Sequence, residues 1–312
     1  MALDESTAAF LKSASEQGGP ALHEMEVAQC REVFGQMIQT IQGDIEPIYN
    51  VEDKTVNGTE GSIPVRIYRP RDTKIEALPG LMLFHGGGWV IGDIDTHDNV
   101  CRHFANKADV VVVSVDYRLA PEHKFPAGHN DCIDATKWVI ENAGTLGINS
   151  AKLAVTGDSA GGNLAAVVAQ QLKGKIAFQL LIYPVTDFSD GNYPSREKFG
   201  TGEYFLSSKD MEWFGELLTN PQEPEGLASP LGSPMATKDL SGLAPALTVT
   251  AGFDPLRDEG KAYADRLAQA GVASEYKCFE GTIHGFVSFP GVLQAGVEGM
   301  DLMCTRLKEA LS

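Results

Sequence analysis

Short apolar runs bounded by turn residues recur along the chain, and they constrain its fold more than any other feature. Several are rich in β-branched residues and apolar nearly throughout, as strands covered on both faces must be. The last strand-like runs alternate at short spacing with helical patterns, which predicts an α/β fold with a parallel sheet and helices on both faces. The runs lie at 65–70, 80–86, 109–118, 152–158, 178–185, 245–253 and 274–280, and helical patterns at 132–143, 160–174, 258–271 and 296–311.

Two segments do not follow this alternation. Residues 1–45 read as one or two amphipathic helices with an apolar face at helical spacing, and they favour either packing against the core or a lid. Residues 186–235 form a long, partly proline-rich insertion, and insertions of that length in compact domains are usually lids or binding loops. The apolar face consists of Val27, Cys30, Phe34, Ile38 and Ile41.

The composition of the 312 residues predicts one large domain and excludes several classes of partner. There are 25 Lys and Arg against 42 Asp and Glu, and the net charge of −17 repels nucleic acid and anionic membranes. No stretch approaches the roughly 18 apolar residues of a membrane span, and the start, MALDESTAAF, is acidic where a secretory signal is basic. The five cysteines are odd in number and widely spaced, which favours reduced core thiols over disulfides or a metal site. We therefore expect a cytoplasmic protein.

The stretch GDSAG, at 157–161, lies where a predicted strand passes into a predicted helix. It fits the G-x-S-x-G pattern, in which a serine occupies a sharp and strained turn. Side chains two residues before or after the serine would collide with such a turn, which explains Gly157 and Gly161. Ser159 is therefore the predicted nucleophile.

A serine hydroxyl is a weak nucleophile near neutral pH, so Ser159 needs an imidazole base and a carboxylate to orient it. In proteins with this strand-to-helix turn, the acid and then the histidine follow the serine along the chain. Of the seven histidines only His284, in EGTIHGF beyond the last predicted strand, lies after Ser159. His284 is the predicted base.

Asp254 is the predicted acid. It directly follows the predicted strand PALTVTAGF, and so emerges at the sheet edge where open α/β sheets bind ligands. Asp258 is the main alternative, but its place at the start of a helical pattern favours a helix cap. The remaining aspartates in this window are Asp187, Asp190, Asp210, Asp239 and Asp265.

Three consecutive glycines, at 86–88, follow the predicted strand in LMLFHGGGWVIGD. Each loses roughly 0.5 to 1 kcal/mol of backbone entropy relative to alanine, so the run calls for a physical reason. The intermediate of acyl transfer carries an oxyanion, and backbone N–H groups must already point at it. One predicted donor is Ala160, directly after the nucleophile, and the others are expected from the glycine loop.

The motifs HGGGW, GDSAGG, DPLRDEG and HGF, with VDYRLAPEHKFPA at 115–127, occur in an order that resembles the hormone-sensitive-lipase-like, bacterial family IV esterases of the α/β-hydrolase fold. The resemblance covers residues from about 45 to 312. It implies an eight-stranded, mostly parallel sheet with a small helical cap, and no cofactor or metal. It also implies a triad of Ser159, Asp254 and His284. By the same resemblance, the oxyanion hole consists of the N–H groups of Gly87, Gly88 and Ala160.

The resemblance further implies a carboxylic ester hydrolase that acts on short- to medium-chain acyl esters through an acyl-enzyme. Residues 1–45 and 186–235 would form the cap, residues 46–185 and 236–312 the catalytic core, and two copies would form a homodimer through edge strands. Two alternatives stay open. One is an amidase or peptidase with the same triad, and the other is a non-catalytic small-ligand-binding protein of this fold.

Other residues near the motifs have more modest interpretations. His85 is expected to brace the glycine loop, and Asp158 to fix the turn around Ser159. YRLAPE, at 117–122, is expected to support the loop. Trp89 is an equally good candidate for lining the substrate pocket and for packing in the core. Five residues of the insertion are candidates for an acyl pocket or for packing of the cap on the core: Tyr204, Phe205, Met211, Trp213 and Phe214.

Overall fold

The computed structural model describes residues 2–74, 76–189 and 191–312. Within them eight strands form one sheet in the order β1-β2-β4-β3-β5-β6-β7-β8. The β1–β2 and β2–β4 pairs are antiparallel and the other pairs are parallel, which confirms the predicted α/β architecture. The strands are β1 (Asn50–Gly58), β2 (Gly61–Arg69), β3 (Leu78–Phe84), β4 (Val111–Val115), β5 (Ile148–Asp158), β6 (Phe178–Ile182), β7 (Ala246–Phe253) and β8 (Ser274–Ile283).

Helices cover both faces of this sheet. Residues of α4, α5 and α8 share one apolar core with Met82 and Phe84 of β3, whereas α3 and α9 share a second core with Leu81 and Leu83. Successive β3 side chains thus enter opposite cores, which is why this strand is apolar throughout. The helices are α1 (Glu5–Gln17), α2 (Val27–Ile41), α3 (Asp98–Ala108), α4 (Ala127–Leu146), α5 (Ala160–Gln171), α6 (Pro194–Phe199), α7 (Ser208–Leu218), α8 (Arg257–Gln269) and α9 (Gln294–Leu311).

The two segments that do not follow the strand–helix alternation, 1–45 and 186–235, are both helical. The first contains α1 and α2, and the predicted face of α2 is buried at Cys30, Ile38 and Ile41. The second contains α6 and α7. The two segments meet where His23 Nδ1 lies 2.7 Å from Asp210 Oδ1.

Two elements, β1 and α3, were not predicted from the sequence. β1 is an edge strand in which only Val56 is buried, so it lacks an apolar run. In the described part of the chain, no helix is long and apolar enough to cross a membrane. The same residues hold no group of His, Cys, Asp and Glu side chains that could bind a metal ion, and all five cysteines are free thiols.

Candidate active site

Ser159 lies between the last residue of β5 and the first residue of α5. Its backbone has φ 57° and ψ −115°, a conformation that is costly for a residue with a side chain. A Cβ on Gly161 would overlap the Phe84 carbonyl, and one on Gly157 would overlap the backbone of Gly161. The turn and the adjacent end of β3 therefore leave no room for a side chain at either position.

His284 and Asp254 form a buried pair. Nδ1 of His284 lies 2.8 Å from Oδ2 of Asp254, whose other oxygen accepts a 2.8 Å hydrogen bond from the backbone N–H of Leu256. Asp254 is fully buried and the His284 ring packs against Tyr183 at a centroid distance of 4.5 Å. The carboxylate thus fixes the orientation of the imidazole and leaves its Nε2 available.

None of the other described aspartates weighed for this position makes the contact with His284. Asp258 instead accepts a 2.9 Å hydrogen bond from the backbone N–H of Ser195 and pairs with Arg257. Asp190 lies outside the described residues. The remaining alternatives bind other groups, namely Asp187, Asp210, Asp239 and Asp265.

Ser159 and His284 line the same cavity, which has a volume of about 130 Å³. Gly87 and Gly88 line it as well. No hydrogen bond within the described residues joins the Ser159 hydroxyl to His284, and such bonds often tighten only when substrate binds. Among those residues, the backbone N–H groups of Gly87, Gly88 and Ala160 have no acceptor.

The packing of the loop explains its glycines independently of any oxyanion. Gly87 has φ 113° and Gly88 has φ 61°, values that side chains rarely adopt. A Cβ on Gly87 would overlap the carbonyl of Ile91, and one on Gly88 would overlap the ring of Phe214. The packing of the loop therefore excludes side chains at both positions.

His85 and the YRLAPE segment support this loop. The Tyr117 hydroxyl donates a 2.7 Å hydrogen bond to the His85 carbonyl, and the Ala120 N–H donates a 2.9 Å bond to the Trp89 carbonyl. The His85 ring stacks on Tyr117, and its Nδ1 lies 2.8 Å from the Gly86 carbonyl oxygen. Burial lowers the pKa of His85 to about 4, which keeps the ring neutral and suits the expected bracing role.

Asp158 connects the serine turn to the glycine loop. Its Oδ1 accepts a 2.9 Å hydrogen bond from the Gly86 N–H and lies 3.0 Å from Nε2 of His97. Burial alone would raise the pKa of Asp158. The nearby histidines, His97 above all, lower the pKa by more than burial raises it, so the pKa lies below its usual value. His97 also lines the cavity. Sequence reasoning missed it because no motif surrounds it.

Both helical segments contribute walls to the cavity. The N-terminal segment supplies Leu22, Val33, Phe34 and Met37, and the insertion supplies Phe205, Leu206 and Phe214. Apolar side chains thus dominate the walls, as in most small-ligand sites.

Several of the candidate aromatic residues lie outside this cavity. Trp89 packs against His129 and Phe188, with ring centroids 6.1 and 5.4 Å away, which favours its packing interpretation. Tyr204 packs against Phe199 and Phe253. Two further residues of the insertion are not among the lining residues, Met211 and Trp213.

Known proteins resemble this chain over most or all of its length. The family model of the alpha/beta hydrolase fold matches residues 81–288. Ethyl acetate hydrolase of Pseudomonas putida is 36% identical over 322 residues, which span 100% of both chains. The carboxylic ester hydrolase LipN of Mycobacterium tuberculosis is 41% identical over 272 residues, which cover 84% of this chain and 71% of LipN.

A hyperthermophilic esterase of the archaeon Pyrobaculum calidifontis has a solved structure with a TM-score of 0.93 and 42% identity, and the match covers 100% of both chains. The chain therefore belongs to the α/β-hydrolase family, among its hormone-sensitive-lipase-like (bacterial family IV) carboxylesterases.

Proposed function

We propose that Ser159, His284 and Asp254 hydrolyse carboxylic esters with short- to medium-length acyl chains. Membership of the family makes the chain a serine carboxylesterase, and the proposal concerns its residues and its preferred esters. The observation that carries it is the pairing of His284 with a buried Asp254 beside the cavity that Ser159 also lines.

In the proposed mechanism, Oγ of Ser159 attacks the ester carbonyl while Nε2 of His284 takes the hydroxyl proton. Asp254 accepts the hydrogen bond from Nδ1 and stabilises the imidazolium that forms. His284 then returns the proton to the leaving alcohol, and an acyl-enzyme remains on Ser159. A water molecule activated by His284 releases the acid and restores the serine.

The oxyanion of each tetrahedral intermediate requires N–H donors that are already oriented. We assign this role to the backbone of Gly87, Gly88 and Ala160. Their N–H groups have no acceptor among the described residues, so no existing hydrogen bond has to break when the oxyanion forms. Ala160 begins α5, where the positive end of the helix dipole adds to the stabilisation.

A preference for small esters is supported by the size and walls of the cavity. Its volume is about 130 Å³, and bulky side chains such as Phe34, Phe205 and Phe214 line it. The relative from Pseudomonas putida is named for hydrolysis of ethyl acetate, a small ester. Residues 1–45 and 186–235 act in this proposal as a cap over a core formed by 46–185 and 236–312, because both segments line the cavity.

Two further properties belong to this proposal. A cytoplasmic location fits five cysteines that are all free thiols, since disulfides are rare in that compartment. Homodimerisation through β8 fits the position of this strand at the end of the sheet. Light scattering of the purified protein tests the dimer, and a monomer at micromolar concentration would contradict it.

The ester preference is tested by kcat/KM for p-nitrophenyl acetate, butyrate, hexanoate, decanoate and palmitate. We expect the highest value among the first three and a steep fall toward palmitate. A maximum at palmitate would contradict the proposed chain length. The matching p-nitroanilides form a second series, and equal or faster cleavage of the amides would favour the amidase alternative.

A further inference from the structure

Arg31 of α2 forms hydrogen bonds with the segments that surround the glycine loop. Its Nε donates a 2.8 Å hydrogen bond to the carbonyl of Val90, and its Nη2 donates a 3.0 Å bond to the carbonyl of Ala120. Nη1 and Nη2 each donate a 2.8 Å bond to the carboxylate of Glu122. One guanidinium thus joins three groups that belong to two different segments of the core.

The two carbonyls belong to the backbone that shapes the oxyanion loop. Val90 donates its N–H to the Gly87 carbonyl at 3.1 Å, and Ile91 donates to the same oxygen at 2.9 Å, so Gly87 to Ile91 form one turn. The Ala120 N–H binds the Trp89 carbonyl in that turn. Arg31 therefore contacts both the turn and the segment that supports it.

We propose that Arg31 is a positioning residue for the oxyanion hole. Its guanidinium fixes the turn from Gly87 to Ile91, and so keeps the N–H groups of Gly87 and Gly88 directed at the reacting carbonyl. This inference rests on the roles proposed above for those two glycines.

The geometry requires an arginine. Nε, Nη1 and Nη2 form a planar fork whose four hydrogen bonds reach Val90, Ala120 and both oxygens of Glu122. A lysine ammonium is a compact charge on a flexible stem and does not reach acceptors in this arrangement simultaneously. The hydrogen bond from Arg31 lowers the pKa of Glu122 to about 2, so the carboxylate stays ionised at neutral pH.

The same helix also lines the catalytic cavity. Val33, Phe34 and Met37 follow Arg31 on α2 and form part of the cavity wall. Arg31 therefore links the position of the N-terminal segment on the core to the conformation of the oxyanion loop. A displaced α2 would both open the cavity and release the turn.

The test compares Arg31→Lys with the wild type on an oxoester and on the thionoester of the same acid and alcohol. The thionoester develops charge on sulfur, so the ratio of the two rates reports how well the donors fit an oxyanion. We expect kcat for the oxoester to fall about 10- to 100-fold, less than the 10²- to 10³-fold loss typical of a deleted donor, with KM changed less than about threefold. We also expect the oxoester-to-thionoester ratio to fall.

Arg71→Lys is the matched control, because Arg71 also makes a forked contact with a carboxylate, that of Asp109, and its polar contacts are with Asp109 and Glu76. It should keep the wild-type kcat and ratio. Glu122→Gln is the milder second variant, and it should lower the ratio in the same direction if Arg31→Lys fails to fold. An unchanged ratio in a folded Arg31→Lys protein, or the same loss in Arg71→Lys, would overturn the proposal.

A third variant, Gly88→Ala, distinguishes a failure of the inference about Arg31 from a failure of the proposed function. A ratio that changes in Gly88→Ala but not in Arg31→Lys would contradict only the role of Arg31. A ratio unchanged in Gly88→Ala would contradict the oxyanion role of the glycines, and the inference about Arg31 would fail with it.

Discussion

His284 Nδ1 and Asp254 Oδ2 lie 2.8 Å apart because β7 and β8, the strands that precede them, are paired at their ends, after a shift in register between Ala251 and Phe253. Phe253, at the end of β7, pairs with Ile283, at the end of β8. Each catalytic candidate is the next residue after its paired neighbour, so both emerge together at the carboxyl edge of the sheet. The pairing of the two strand ends thus brings the proposed acid and base to the same edge of the sheet.

Replacing Asp254 with asparagine tests this pairing. We expect Asp254→Asn to lower kcat about 10³- to 10⁴-fold, because the amide favours the wrong imidazole tautomer while the geometry is kept. Steady-state kinetics on p-nitrophenyl butyrate measure the effect. Asp265→Asn is the matched control, since Asp265 is on the exposed side of α8 and pairs with Lys261. A loss below 10-fold in Asp254→Asn would contradict its assignment as the acid.

Gly88 and Phe214 form a second testable pair, because a Cβ on Gly88 would overlap the Phe214 ring. We expect Gly88→Ala to lose activity and also stability, by roughly 1 to 2 kcal/mol for the positive φ alone. Removing the ring in Gly88→Ala/Phe214→Ala should relieve the overlap. Its loss in the free energy of unfolding should therefore be smaller than the sum of the single losses. Strictly additive losses in urea unfolding would show that the ring contact is not the cause.

Phe205 is expected to limit the length of the acyl chain, because it lines the cavity beside His284. Phe205→Ala should raise the ratio of kcat/KM for decanoate over acetate by at least about 10-fold, the effect of roughly one added methylene contact. Tyr204→Ala is the control, since Tyr204 packs against Phe199 and Phe253 outside the cavity. The same shift in both variants would mean that loosening of the cap, rather than the Phe205 side chain, sets the preference.

His129 makes folding sensitive to acid. Burial lowers its pKa to about 4, whereas a histidine in an unfolded chain has a pKa of roughly 6.5. Between these values the unfolded chain binds the proton and the folded protein does not, so stability falls as the pH drops through this window. We expect the stability advantage of the wild type over His129→Gln to shrink by about 3 kcal/mol between pH 7 and pH 4.

Urea unfolding of both proteins at several pH values measures this difference. The exposed His123→Gln is the matched control, because solvation of its ring changes little on folding. Parallel pH curves for the wild type and His129→Gln would contradict the buried neutral state.

Sequence patterns were most informative for strands that are buried on both faces. β3 and β7 could be predicted because they are buried on both faces, and an apolar run is then unavoidable. β1 could not, because it lies at the sheet edge and buries only Val56. Its position depends on pairing with β2, which the pattern of β1 alone does not encode.

The same limit applies to the site. Ser159 and Asp254 could be proposed from the sequence because each directly follows a predicted strand, and His284 because it is the only histidine after Ser159 and lies in the loop just beyond the last predicted strand. His97 and Arg31 could not be proposed. Their partners Asp158 and Val90 lie 61 and 59 residues away, and no local pattern specifies such contacts.

Labelling with a fluorophosphonate tests the central claim, that Ser159 is the nucleophile, most directly. We expect one adduct per chain in the intact mass, mapped by peptide sequencing to Ser159, with loss of esterase activity in proportion to labelling. We expect Ser159→Ala to bind no label and to retain less than about 10⁻⁴ of the wild-type kcat. An adduct on another residue, or undiminished ester hydrolysis by Ser159→Ala, would contradict the account.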